Sequence, residues 1–376
     1  MSRRVTGAAA RLACAGLACA GLIAGCGSHP ARVAGAGPPL AAPLSTSLVT
    51  AQGRWAIAVM GGPDAGNKFW QLFFRPVTGG HWSLVTPQGV ADNGGLVAAG
   101  GGAYLVVGFR PSQNLAFSPL ATSTDTGRNW TPGLLDAGLA DTPGAIAVGP
   151  SGRILALLQD GTIQAASTAS DAAAGRWAPL TTFKALAASA PGRACGLEGV
   201  TAVSFGPDEN PMAAGSCARP GAAGVFTDAG GTWRSAGLAL PGGGRVRVLG
   251  LTALADGNEA LLATRHSLLA AWWDGTRWTV SGPVTAGGMR ALGFGSGGSA
   301  WLLPGVGRAE SIAGPGSAWR ALPPIPAGTG TLAPGAGGSY DALAVSGSRL
   351  TVWRLAQRAW GKIQQISVPL QYGSSG

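Results

Sequence analysis

Histidine, tyrosine and lysine are scarce in this 376-residue chain, and only 11% of its residues are charged. The three histidines, His29, His81 and His266, are far apart and form no metal-ligand or triad spacing, so metal or histidine-based chemistry is not expected. With four glutamates (Glu198, Glu209, Glu259 and Glu310), no carboxylate pair of the kind that flanks a glycosidic bond stands out. There is no P-loop, and glycine-rich stretches such as "GSGGSAW" lack the strand-to-helix context of a phosphate loop. No cofactor is implied. No segment sustains a helical hydrophobic period. The apolar run Leu12–Ile23 is shorter than the roughly 20 residues that span a bilayer.

What is present at the N-terminus is an export leader. Arg3, Arg4 and Arg11 give it a positive start, and small residues follow the apolar run. The junction Ile23-Ala24-Gly25-Cys26 resembles the bacterial lipobox. That resemblance implies cleavage before Cys26, with diacylglycerol on its thiol and palmitate among the acyl groups. Two buried chains are enough for stable attachment to a membrane. The expected order is a leader over 1–25, a lipidated Cys26 with a Pro/Ala/Gly tether over 26–45, and a globular part over 46–376. This places the chain on the outer face of the cell membrane.

Cys14 and Cys19 leave with the leader and Cys26 takes lipid, so Cys195 and Cys217 remain. An isolated pair in an exported protein is expected to form a disulfide, worth about 3 kcal/mol for a loop of this length. Loss of the three leader arginines leaves 23 basic against 16 acidic side chains. Most of the basic residues are arginines scattered along the chain, and nucleic acid is not an expected partner.

Tryptophan supplies the architecture. Trp82, Trp130, Trp177, Trp233, Trp278, Trp319 and Trp360 are spaced by 48, 47, 56, 45, 41 and 41 residues. Five of them follow a glycine three places earlier. Ahead of each lies a turn leading into an apolar strand: "GRWAIAV", "GGAYLVV", "SGRILAL", "ENPMAAG", "GNEALLA", "GSAWLLP" and "GSYDALA". Each unit therefore reads as four strands, a to d, joined by hairpin turns. A period of 40–50 residues built from short strands predicts an all-β, seven-bladed β-propeller over 46–376. The chain begins on a strand a and ends on a strand d, which leaves the closure of the ring open.

"STDTGRNW" (Ser123, Asp125, Gly127 and Trp130) and "FTDAGGTW" (Asp228, Gly230 and Trp233) resemble the Asp-box, or BNR repeat, of sialidase-like propellers. The broader likeness is to YVTN/WD-like propeller lipoproteins of GC-rich, actinobacterial-type bacteria. In such families the box braces a turn: the carboxylate accepts from local N–H groups and the indole packs between sheets. A sialidase would also need an arginine triad, a Tyr–Glu pair and an acid Asp. "FFRP" (Phe73–Pro76) resembles the F-R-I-P motif of that family but lacks its Ile. The acids that could serve such a site are Asp92, Asp136, Asp141 and Asp160.

The b–c turns carry a cation in six units, namely Lys68, Arg110, Arg219, Arg265, Arg308 and Arg349, with Asp160 in the remaining one and His266 beside Arg265. Such a rim would favour a carboxylate, sulfate or phosphate. The expected function is a monomeric, non-catalytic binding or scaffold propeller for an anionic glycan or a protein partner. The alternative is a sialidase-like glycoside hydrolase acting on cell-wall or host glycans.

Overall fold

The computed structural model describes residues 46–62, 68–87, 96–100, 103–107, 118–135, 143–240, 244–285 and 288–370. The expected leader and tether, Cys26 and Arg110 lie outside the described residues, as do Asp92, Asp136 and Asp141. Among the described residues the strands fall into seven antiparallel sheets, each drawn from one continuous stretch of chain with its strands hydrogen-bonded in sequence order. The first sheet comprises a Ser47–Thr50, b Gly53–Gly61, c Lys68–Pro76 and d Ser83–Leu84. The fifth comprises Arg247–Leu254, Gly257–Ala263, Ser267–Trp273 and Trp278–Val280, with an extra strand, Val284–Thr285, on Ser267–Trp273. The seventh comprises Thr329–Pro334, Tyr340–Ser346, Arg349–Ala356 and Ala359–Ser367.

The strands form where apolar runs are punctuated by Gly, Asp and Ser, and the b strands are the most enclosed. Gly257–Ala263 is buried along its whole length, as is Ala300–Pro304. A sheet with both faces covered reads as a continuous apolar run rather than an alternation, which is why "EALLA" and "WLLP" look alike in sequence.

Each pair of consecutive sheets encloses its own apolar cluster. Trp55, Leu72 and Phe74 of the first sheet pack with Val97 and Trp130 of the second. Met212 and Val225 of the fourth meet Leu262 and Val248 of the fifth. The last such cluster joins the ends of the chain: Ala58, Met60, Phe73 and Trp82 of the first sheet pack with Leu343, Leu350 and Val352 of the seventh. Closure therefore comes from side chains, with no strand exchanged between the two ends. Polar ties reinforce it. Gly61 N–H donates to Gly347 O at 2.9 Å, and Gln364 both accepts from the Trp82 N–H (2.7 Å) and donates to its carbonyl (2.8 Å).

The chain is nearly all-β, with three short α-helices among the described residues: Ala169–Ala173, Phe183–Ala188 and Ala190–Cys195. Thr168, Thr182 and Ser189 cap them through their side-chain oxygens. At five or six residues each, they are too short to register as a periodic pattern. The last helix ends at Cys195, which is bridged to Cys217 at the end of Pro211–Cys217, with 5.3 Å between the Cα atoms. Leu197 is the cross-strand partner of Cys217, so the open end of the hairpin brings the two sulfurs together.

Candidate functional site

The two turns that resemble the Asp-box are local clips. Ser123 Oγ donates to Asp125 Oδ1 (2.9 Å) and accepts from the Gly127 N–H (2.9 Å). Asp125 accepts from the Asn129 N–H at 2.9 Å and from its side-chain amide at 2.6 Å. These bonds, the Asn129 N–H first, hold the Asp125 carboxyl down at about 2. Gly127 has φ +80°, and an added Cβ there would also crowd Trp55 and Trp130. In the second box Asp228 accepts from the Gly231 N–H at 2.8 Å. Asp274 forms a third turn of this kind, accepting from the N–H groups of Thr276 (2.9 Å) and Arg277 (2.8 Å).

The tryptophans tie each sheet to the one before it. Trp130 Nε1 donates to Val85 O (2.8 Å), Trp278 Nε1 to Ala236 O (2.9 Å) and Trp319 Nε1 to Ser281 Oγ (3.2 Å). Each acceptor follows strand d of the preceding sheet. Trp233 packs in the cluster between the third and fourth sheets. Trp82 departs from this pattern, because its indole donates to a carboxylate.

Five of the six cations expected on the b–c rim lie among the described residues. Lys68, Arg219, Arg265, Arg308 and Arg349 are exposed on b–c turns or the first residue after one. Among the described residues no side-chain hydrogen bond or ion pair joins any two of them. Asp160 accepts from the Thr162 N–H (2.8 Å) and hydroxyl (2.9 Å) in its own turn.

A different cluster assembles at the other ends of the strands, where the first and seventh sheets meet. Arg54 opens the apolar part of strand b in the first sheet, and Arg75 closes strand c. Asp341 is the second residue of strand b in the seventh sheet, and Arg354 lies near the end of its strand c. Asp341 Oδ2 is 3.1 Å from Arg54 Nη2 and 3.1 Å from Arg75 Nη1. Arg354 grips the carboxylate with two bonds, Nε to Oδ1 (2.8 Å) and Nη2 to Oδ2 (2.9 Å). The Trp82 indole N–H adds a further bond to Oδ2 at 3.0 Å, and the Arg54 guanidinium lies over the Trp82 ring. Burial pushes the Asp341 carboxyl up, against the pull of Arg54, the Trp82 N–H and Arg75.

The carboxylate side chain is 0% exposed, whereas the side chains of Arg54, Arg75 and Arg354 are 13%, 9% and 29% exposed. Asp341 therefore holds the guanidiniums from beneath, and all three line a cleft of about 380 Å³. Its walls are a–b and c–d turns, with Val49, Val77 and Pro334 supplying apolar surface. Gly335 is part of the wall, and a Cβ there would come within 2.5 Å of Ser339 Oγ and 2.8 Å of Arg54 Nη1. Among the described residues no acid lines the cleft. Three cations around one buried anion leave a local excess of two positive charges.

Sequence reading missed this site. It noticed "FFRP" and "GSYDALA", but Arg75 and Asp341 are 266 residues apart. The available signal was an acid at the head of an otherwise apolar strand, since a buried carboxylate requires partners.

No family model and no curated protein matches the chain. Among solved structures, a protein from Lactobacillus plantarum is similar at TM-score 0.54 and 11% identity, over 84% of this chain and 97% of that one. YCF48 from Cyanidioschyzon merolae is similar at TM-score 0.44 and 15% identity, over 86% and 95% of the two chains. TolB from Acinetobacter baumannii is similar at 0.42 and 13%, over 81% and 77%. The likeness is one of fold, and with the succession of four-stranded sheets it makes this chain a β-propeller.

Proposed function

We propose that this chain is a non-catalytic, seven-bladed binding propeller, lipid-anchored through Cys26 on the outer face of the cell membrane. On this reading it takes an anionic group of a glycan or protein partner into the cleft between its first and seventh sheets. The blade count is supported by the seven apolar clusters, each between consecutive sheets and the last joining the two ends. The observation that carries the function is the convergence of Arg54, Arg75 and Arg354 on one cleft with a net positive charge. Guanidinium N–H groups in a low-dielectric wall bind oxyanions more strongly than exposed cations do. The non-catalytic reading draws on the state of the two fully buried acids, Asp341 and Glu259. The first is spent on three arginines and the second is enclosed in the fifth sheet, so neither offers the cleft a free acid or base.

The test compares heparin and hyaluronate binding by the full chain with binding by two variants. Arg54→Gln/Arg354→Gln should abolish binding, and Arg219→Gln/Arg265→Gln/Arg349→Gln should only weaken it at low salt. The reverse pattern would move the function to the b–c rim. Turnover of fluorogenic sialosides would replace the binding reading with the hydrolase one, and membrane retention of Cys26→Ala would remove the lipid anchor.

A further inference from the structure

The charge, shape and position of the cleft at the junction of the two chain ends narrow its ligand. We infer that it binds a doubly charged tetrahedral oxyanion, a phosphate monoester group, and that the bound dianion fastens the first sheet to the seventh. This rests on the anion-binding reading above and specifies its chemistry.

Charge comes first. Asp341 neutralises one of three guanidiniums, leaving two positive charges in a wall without another acid. A single carboxylate would leave one charge unbalanced; a phosphate monoester, which carries about −1.5 to −2 at pH 7, would not.

Shape comes second. The planar fork of Arg354, Nε with Nη2, is already occupied by the Asp341 carboxylate. Arg75 spends Nε on Gly80 O and Nη1 on Asp341. Arg54 spends Nη1 on Ala333 O and Nη2 on Asp341. Each guanidinium carries five N–H donors, so more than half remain, on three groups approaching from different strands. Donors from three directions suit tetrahedral oxygens better than a second planar carboxylate. At about 380 Å³ the cleft has the volume of roughly a dozen liquid waters, more than a lone ion needs. The apolar wall of Val49, Val77 and Pro334 is suited to the carbon skeleton of an ester.

Position gives the consequence. Arg54 and Arg75 belong to the first sheet and Arg354 to the seventh, and no shared strand joins those sheets. An anion bonded to both sides adds a tie where closure depends on side-chain packing and a few hydrogen bonds. Binding should therefore raise the unfolding temperature along with occupancy.

The full chain in detergent at pH 7.5 is titrated with sodium phosphate, sodium sulfate, glycerol 1-phosphate and sodium acetate at constant ionic strength. Binding is followed by calorimetry and stability by thermal unfolding. Phosphate and glycerol 1-phosphate should bind and raise the unfolding temperature, with acetate at least tenfold weaker. An ester site accepts both phosphates, whereas a site for the free ion accepts only inorganic phosphate and would overturn the ester assignment. Asp341→Asn, which removes the internal counter-charge, should bind phosphate about tenfold more tightly. Arg354→Gln should lose it. Gly335→Ala keeps every charge but displaces the Arg54 guanidinium, and should weaken phosphate several-fold even if the other variants fold poorly. Acetate binding as well as phosphate in the wild type would overturn the dianion while leaving an anion cleft. Phosphate binding unchanged in both Arg354→Gln and Gly335→Ala would overturn the cleft itself.

Discussion

Asp341 and Glu259 occupy the same place in their sheets. Each stands two residues after the serine or glycine at the start of its motif (Ser339 in "GSYDALA", Gly257 in "GNEALLA"), and each is fully buried. The strand alternation turns both toward the following sheet, as Leu343 and Leu261 show by their clusters. Trp55 and Trp301 hold this place in the first and sixth sheets, so it is ordinarily an apolar position. What separates the two acids is the surface they meet. Asp341 faces two arginines of the first sheet and one of its own, and both oxygens are bonded. Among the described residues neither oxygen of Glu259 has a hydrogen-bond partner. The neighbouring Trp272 donates its indole N–H to Gly298 O at 2.7 Å. Burial pushes the Glu259 carboxyl well above its usual value, only partly offset by the nearby Trp272 indole. One position thus holds a charged keystone in one sheet and a tolerated cost in another.

Reciprocal substitutions should separate them most sharply. Asp341→Leu leaves three guanidiniums facing an apolar side chain, and should destabilise by about 3–5 kcal/mol, the usual result of breaking a buried ion pair from one side. Glu259→Leu removes an unpartnered polar group from an apolar cluster, and should stabilise at neutral pH by about 1–3 kcal/mol. Chemical denaturation of the two variants beside the parent chain measures both. Equal effects, or effects of reversed sign, would show that the two positions do not differ as described.

The pH dependence sharpens the same contrast. A raised carboxyl binds its proton in the folded state when the unfolded chain has already lost it. The Glu259 penalty is therefore absent below the unfolded value near 4.3, and grows as pH rises toward the folded value. The advantage of Glu259→Leu should be larger at pH 7 than at pH 4, and Glu259→Gln should show the same slope with a smaller gain. A gain independent of pH would mean that Glu259 ionises freely where it is.

The legible part of this molecule was the local part. Glycine and tryptophan recur with the period of the sheets because each turn is built within eight residues, as Ser123–Trp130 shows. The disulfide was readable because a single hairpin carries both cysteines to its open end. The cleft was not, because its four charged residues come from both ends of the chain and meet only when the first sheet packs on the seventh. Closure stayed open for the same reason. Sequence reading looks for a strand that changes ends, and here Met60, Trp82, Leu343 and Val352 do the joining by packing. Turn cations such as those of the b–c rim are visible in sequence, and convergence is not.

A third kind of acid completes the comparison and carries the smallest expected effect. Asp125 is neither buried against arginines nor enclosed in apolar surroundings; it sits in an open turn and accepts from Asn129 and Ser123. Its carboxyl lies at about 2 in the folded protein, below the unfolded value near 3.9, so its contribution is present above about pH 4 and fades as pH falls toward 2. Asp125→Ala should lower the unfolding temperature modestly at pH 7 and have almost no effect at pH 2. Phosphate affinity, read well below the transition, should not change, because the turn lies between strands c and d of the second sheet and contributes nothing to the cleft. Asp125→Asn, which keeps an acceptor for the Asn129 N–H, should fall between parent and alanine variant. A variant that kept its unfolding temperature and lost phosphate binding would mean that the box serves the ligand, and that acids in this propeller cannot be sorted by what surrounds them.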